Sequence, residues 1–378
     1  MSTSCALVNL GTLAGNIERV RACLPQGLKL LLAAKSDAYG HGVEAVARLA
    51  QEVGVDWLGV ATVEEGKRVR AAGVSLPVLL LGPALPDEVR KALALDLALP
   101  VFDLETARAV DRAAAALRKK ARVHVLVDTG MGRFGLPPED APALLARLRR
   151  LAHLEVEGIL SHLAAADSEL PEDRAFTQGQ IEALKKLVQE LPDRLRPPLC
   201  HIGNSAGLIQ YKDLVTAPPF TMIRIGTLLY GYLEVRRPWA EIVRPAATLT
   251  ARVLALKGLA PGGSIGYGRT YRVPRPMQVA VIAMGYGQGL SPRLSGRGVV
   301  WIRGRLAPVV GKICLDHTIV DVTGLEGLRP GEEVEIFGPH LPADQLAERA
   351  GLGVCELLVP ALRGASVHRY QDGPQRPF

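Results

Sequence analysis

The chain has 378 residues, 48% of them hydrophobic and 22% charged, which is enough to build two or three domain cores. Its net charge of +7 comes with no long basic run and no basic–aromatic interleaving, so nucleic acid is not an expected partner, and compositional bias accounts for the charge. No run of about 20 uncharged apolar residues predicts a membrane span, the N-terminus does not read as a signal peptide, and five scattered cysteines without a CxxC pair point to a reducing cytoplasm rather than a disulfide framework or metal site.

Short apolar runs at 28–34, 57–61, 77–81, 95–99, 123–127, 156–161, 199–203 and 222–226 predict strands. Stretches 44–53, 63–72, 104–119, 142–151 and 174–191 carry apolar residues at three- and four-residue spacings, as amphipathic helices do. Such alternation implies parallel βαβ units. Roughly eight repeats in roughly 230 residues is the size of a TIM (β/α)8 barrel. A doubly wound sheet is the alternative, because periodicity does not fix closure. The pattern changes near Arg236-Arg237-Pro238-Trp239, which divides the chain into 1–236 and 237–378. Beyond it, runs at 248–256, 278–283, 299–303, 307–310, 318–322 and 333–337 predict strands, and 342–349 predicts one helix. The second domain therefore reads as mostly β.

Lys35 ends an apolar run and is followed by Ser36-Asp37-Ala38-Tyr39-Gly40-His41-Gly42. A desolvated amine can form a Schiff base, and Tyr39 in a Gly-flanked turn could reach a phosphate. The pair suggests a pyridoxal phosphate (PLP) lysine, and a strand-end lysine reaching solvent is the plain alternative. In a barrel the working residues sit just beyond the C-terminal strand ends. Arg133, His162, Asn204, Ser205 and Arg224 follow or end predicted strands in this way. Alone, His162 would read as a core histidine, Ser205 as a helix cap and Arg224 as a salt-bridging arginine.

Eight segments in order, AKSDAYGHG, DTGMGRFG, SHLAAAD, HIGNSA, RIGTLLYG, GYGRTY, GYGQG and GKICLDH, resemble the alanine racemases, the two-domain fold-type III PLP enzymes. The resemblance covers nearly the whole chain. It implies a PLP-binding barrel followed by a β domain that carries a second catalytic base. Lys35 would hold PLP, with Tyr39, Asn204, Ser205, Gly226 and Thr227 around its phosphate end, His162 against its ring and Arg224 on its pyridine nitrogen. Arg133 would take the substrate carboxylate, with Leu315 and Asp316 at the substrate end and Tyr286 at the entrance. Tyr267 would be the second base, supplied by the partner of a homodimer, with His201 as its hydrogen-bond partner. The implied activity is interconversion of L- and D-alanine for peptidoglycan synthesis.

Four positions depart from the family pattern. Leu126 stands where a carbamylated lysine commonly supports the arginine, so Arg133 must be held otherwise. Gln288 replaces an acid, Leu315 replaces a methionine, and Cys355 replaces a tyrosine that contacts the phosphate and narrows the entrance. Cys355 and Gln288 motivate a racemase of broader specificity as the alternative. A PLP-binding protein without turnover is disfavoured by the β domain, and a decarboxylase by Arg224.

Overall fold

The computed structural model describes residues 3–233, 235 and 241–372, and the expected boundary at 236/237 lies outside them. After β1 (Ser4–Asn9) come β2 (Lys29–Ala33), β3 (Trp57–Val60), β4 (Val78–Leu80), β5 (Leu97–Val101), β6 (Ala121–Leu126), β7 (Leu154–Leu160), β8 (Leu199–His201) and β9 (Met222–Ile225). The last eight form one sheet in the order β8-β7-β6-β5-β4-β3-β2-β9. Hydrogen bonds from Thr221 N to Cys200 O at 2.9 Å and from Arg224 N to Gly203 O at 3.1 Å join its two ends. Strand order follows chain order around the ring, with none of the reversal that a doubly wound sheet requires. The sheet is the expected barrel.

The barrel strands are buried on both faces, which is why they read as continuous apolar runs rather than alternating ones. Leu31, Trp57, Leu79, Ala98, Leu199 and Met222 form one apolar cluster in the bore, and the opposite faces pack against the helices. Local signals set the helix starts. Thr62 and Glu65 form a reciprocal capping box, and Asp103 caps the helix Leu104–Ala116.

The second domain contains β10 (Ala247–Leu259), β11 (Ser264–Ile265), β12 (Tyr271–Arg272), β13 (Met277–Ile282), β14 (Val299–Ile302), β15 (Arg305–Pro308), β16 (Thr318–Asp321), β17 (Glu333–Phe337) and β18 (Val367–Gln371). Its main sheet runs β15-β14-β17-β10-β1-β18, with β13 beside β10 and β16 beside β13. β1, expected within the first domain, is therefore a strand of this sheet. It pairs antiparallel to β10 through Val8 and Ala247, and parallel to β18 through Cys5 and Val367. Both neighbours lie more than two hundred residues away in sequence, so no local signal announces the pairing. The helix expected at 342–349 is Ala343–Ala350, and a second helix, Val354–Arg363, follows it.

Candidate active site

Lys35 lies two residues beyond β2 and begins an unusual turn. Ser36, Asp37, Ala38 and Tyr39 all have left-handed backbone angles, with φ of 53°, 58°, 53° and 53°. Each such residue costs about 1–2 kcal/mol unless its surroundings impose it. Here Asp37 N donates to Glu65 Oε1 at 3.0 Å, Val43 N donates to Asp37 Oδ1 at 2.9 Å, and Arg68 pairs with Asp37 at 2.8 Å. Arg68 also grips Glu44 through two bonds, at 2.6 and 2.7 Å. From behind, the helix Val354–Arg363 presses on the turn, leaving no room for a side chain at Gly40, where a Cβ would lie 2.7 Å from the Leu362 Cβ. The turn sets Lys35 Nζ 5.8 Å from the centre of the Tyr39 ring.

Tyr39 faces a small polar cup. A Cβ on Gly226 would lie 2.5 Å from the Tyr39 hydroxyl, so any side chain there would have to push the Tyr39 ring aside. Ser205 Oγ accepts from Gly226 N at 3.0 Å and Leu228 N at 3.4 Å. Thr227 Oγ1 is buried without a hydrogen-bond partner among the described residues. The helix Ser205–Val215 opens at this cup. Its cap is Asn204, whose Oδ1 accepts from Gly207 N at 2.8 Å, so the Asn204 side chain acts on the helix. A helix N-terminus, a hydroxyl pair and an orphaned buried oxygen suit a phosphate group.

A cavity of about 60 Å³ beside Lys35 is lined by Lys35, Arg133, His162, Arg224, Leu126 and Met131, among others. Three of these are cations, and no carboxylate lines the wall. Arg224 is 6% exposed and makes five hydrogen bonds. Nη1 donates to His201 Nδ1 at 2.7 Å and His201 O at 3.1 Å. Nη2 donates to Ser161 O at 2.7 Å, His162 Nδ1 at 3.1 Å and Ile202 O at 3.2 Å. Burial lowers the guanidinium pKa to about 10, which leaves it charged at neutral pH. Burial, with Arg224, Arg133 and Lys35 nearby, pushes His162 down to about 3, so its ring is neutral. A guanidinium only donates, so His162 accepts at Nδ1 and keeps its proton on Nε2.

Arg133 sits on an exposed loop organised by Asp128, whose Oδ1 accepts from Gly130 N at 2.9 Å and Met131 N at 2.8 Å. Its guanidinium lies 5.7 Å from the Phe134 ring centre, and it has no ion pair among the described residues. Leu126 lines the cavity instead of a charged support.

His201 is not placed as expected. It is fully buried, and both ring nitrogens are taken, Nδ1 by Arg224 and Nε2 by His124 Nδ1 at 3.0 Å. A tyrosine from outside the barrel finds no free nitrogen there. His124 escaped the sequence reading, although a histidine inside the apolar run 123–127 was its signal. The Asp37–Arg68–Glu44 cluster had no such signal, since its members lie on separate elements.

The remaining expected residues form a second group on the β domain, apart from the cavity wall. Tyr267 stands in a turn between Gly266 (φ 71°) and Gly268 (φ 72°) and is 71% exposed. Tyr286 and Leu315 are 48% and 51% exposed. Tyr286 N donates to Cys314 O at 3.0 Å, and Gly287 N donates to Leu315 O at 2.8 Å. Gln288 Nε2 donates to Asp316 Oδ1 at 3.0 Å, a bond that an acid at 288 could not make while ionised. Cys355 is half-buried in the first turn of the helix Val354–Arg363.

Comparison with known proteins bears on both groups. The family model "Alanine racemase, N-terminal domain" matches residues 8–234, and "Alanine racemase, C-terminal domain" matches residues 246–369. The alanine racemase of Geobacter sulfurreducens is 40% identical over 92% of this chain and 91% of its own length. That of Citrifermentans bemidjiense is 37% identical over 93% and 94%. The solved alanine racemase of Clostridium difficile 630 superposes with a TM-score of 0.88 at 28% identity, covering 98% of this chain and 96% of that one.

Proposed function

The chain belongs to the alanine racemases, isomerases that interconvert L- and D-alanine with pyridoxal 5′-phosphate, and from that membership we propose that Lys35 and Tyr267 are its two opposed proton carriers. When bound, the cofactor supplies an electron-withdrawing ring that acidifies the α-hydrogen of an attached amino acid. Tyr39, Ser205, Thr227 and the backbone of Gly226 would hold its phosphate, and Asn204 fixes the helix whose N-terminus would face that phosphate. Arg224 would donate to the ring nitrogen, His162 would lie against the ring, and Arg133 would bind the substrate carboxylate. The observation that carries this reading is Lys35, which lines a cavity bearing three basic side chains and no acid and stands 5.8 Å from the ring of Tyr39, the residue that faces the Ser205–Gly226–Thr227 cup.

Lys35 Nζ moves the α-proton on one face of the substrate, and the Tyr267 hydroxyl moves it on the other. Arg224 remains charged and has only donors, so it leaves the ring nitrogen as an acceptor. That limits electron withdrawal and favours return of the proton to the amino-acid carbon. Tyr267 reaches the site from a second copy of the chain. The exposed group of Tyr267, Tyr286 and Leu315 supports a homodimer that covers it. Leu315 and Asp316 then bound the substrate end, and Tyr286 the entrance.

The product D-alanine serves peptidoglycan synthesis in the cytoplasm. All five cysteines are free, which suits a reducing compartment. Among the described residues no helix is long and apolar enough to cross a membrane. A broader substrate range is the second reading, favoured by the small Cys355 side chain where the family pattern has a tyrosine ring. A chiral assay of D-alanine formed from L-alanine, read beside the visible absorbance of lysine-bound cofactor, tests the assignment. A protein that binds the cofactor through Lys35 and forms no D-alanine would refute it.

A further inference from the structure

From Arg224 a line of polar side chains runs through the bore toward the N-terminal ends of the strands. Its direction follows from donor and acceptor chemistry alone. Arg224 can only donate, so His201 Nδ1 accepts and His201 carries its proton on Nε2. That nitrogen lies 3.0 Å from His124 Nδ1, which must accept in turn, leaving the His124 proton on Nε2. His124 Nε2 faces Glu157 Oε2 at 3.6 Å. The separation is longer than a hydrogen bond and leaves the imidazole N–H aimed at the carboxylate at close range. Both atoms are buried, and neither has a hydrogen-bond partner among the described residues.

We propose that Glu157 is a positioning residue for the reaction, supplying through His124 and His201 the acceptor end of a directional line whose donor end is Arg224, and so holding that guanidinium charged and oriented. The proposal rests on the reading that Arg224 meets the cofactor's ring nitrogen.

Three features show that the line is built into the fold. The pairing of β6 with β7 shifts register, with Val123 opposite Val156 and His124 opposite Gly158, so Glu157 is the extra residue of a bulge. Gly158 leaves the space that the His124 ring occupies, because any Cβ there would collide with Nδ1. The Trp57 ring, on β3, meets His124 edge-on at 5.5 Å between ring centres. A half-buried carboxylate beside a buried imidazole costs free energy unless the two interact.

Arg224 needs such a partner. Its five bonds go to three carbonyls and two imidazoles, and none goes to an acid. Burial keeps both His124 and His201 neutral, so only the two ends of the line carry full charge. Glu157 therefore favours the charged guanidinium from a distance, without occupying a donor that the cofactor requires.

Nitrogen NMR of holoenzyme labelled at histidine reads the tautomers directly. His124 and His201 are expected with protons on Nε2, and a proton on Nδ1 of either would overturn the proposal. Glu157→Gln keeps an acceptor oxygen and loses the charge, while Glu157→Leu loses both. Expected are preserved tautomers and shifted His124 ring resonances in Glu157→Gln, with kcat for alanine lowered about tenfold, KM within about twofold and an unchanged melting temperature. Glu157→Leu should lose more. Wild-type kcat in Glu157→Gln, with wild-type ring resonances, would also overturn it. If Glu157→Leu does not fold, Glu157→Gln and the unaltered enzyme decide. The tautomer readout needs no turnover, so a failure of the alanine reading would appear separately, as absent racemisation in the unaltered enzyme.

Discussion

Arg224 is 6% exposed and makes five hydrogen bonds within the barrel, whereas Tyr267 is 71% exposed in a glycine-flanked turn of the β domain. The barrel groups all stand within a single chain. They include a buried cation, neutral histidines and four consecutive left-handed residues, and the Asp37–Arg68–Glu44 cluster holds that strain in place. The β-domain group is more exposed, in a turn where Arg269 is also left-handed at φ 52°, and in the proposed reading a second copy brings it to the substrate. In the proposed reading, the groups that grip the cofactor are thus preorganised, while the group assigned to the second face depends on association.

The largest effect should come from Lys35→Ala, which removes the covalent attachment and one proton carrier. Turnover should fall at least about 1,000-fold, and the visible absorbance of lysine-bound cofactor should vanish. Tyr267→Phe should cost about 100- to 1,000-fold in racemisation while leaving that absorbance intact. Mixing the two inactive proteins under conditions of subunit exchange should restore about a quarter of wild-type activity, because half of the dimers then contain one intact site. No recovery despite exchange would place both residues on one chain and erase the contrast between the halves.

Gly226→Ala probes the preorganised half. Its Cβ would press on the Tyr39 hydroxyl, 2.5 Å away, and cofactor affinity should fall about 10- to 100-fold in an equilibrium titration. Acid should loosen the same half. Burial lowers His41 to about 4 and His162 to about 3, both below the ordinary 6.5. Their contribution to stability is complete above about pH 6.5 and is lost as pH falls toward those values. Each should cost about 1.4 kcal/mol per pH unit in that window. Denaturant melts at pH 7 and pH 5 should therefore differ, and His41→Phe, if it folds, should narrow the difference.

The smallest effect concerns the rim. Cys355→Tyr should tighten cofactor retention a few-fold through one added hydrogen bond and lower kcat/KM for serine and larger amino acids relative to alanine. Strict alanine specificity with tight cofactor binding in the unaltered enzyme would refute the wider-entrance reading of Cys355.

Much of the barrel was readable along the chain because each of its strands is buried on both faces and stands out as an apolar run. Lys35, His162, Ser205 and Arg224 were legible for a related reason, since polar residues directly after such runs have few places to go but the rim. The role expected for His201 was wrong in its partner, because sequence order does not say which ring nitrogen meets which neighbour. β1 was missed because its pairing partners are distant in the chain, and Glu157 because a bulge, invisible in composition, turns it toward His124.

Local patterns were therefore sufficient for the family resemblance, the strand–helix alternation and the positions proposed to grip the cofactor, since periodicity and motif order are properties of the chain. Closure of the ring, the direction of the Arg224–His201–His124 line and the separation of the site into a buried half and an exposed half arose only on folding. Hydrogen-bond direction and burial depend on which strands become neighbours, and these neighbours are far apart in sequence.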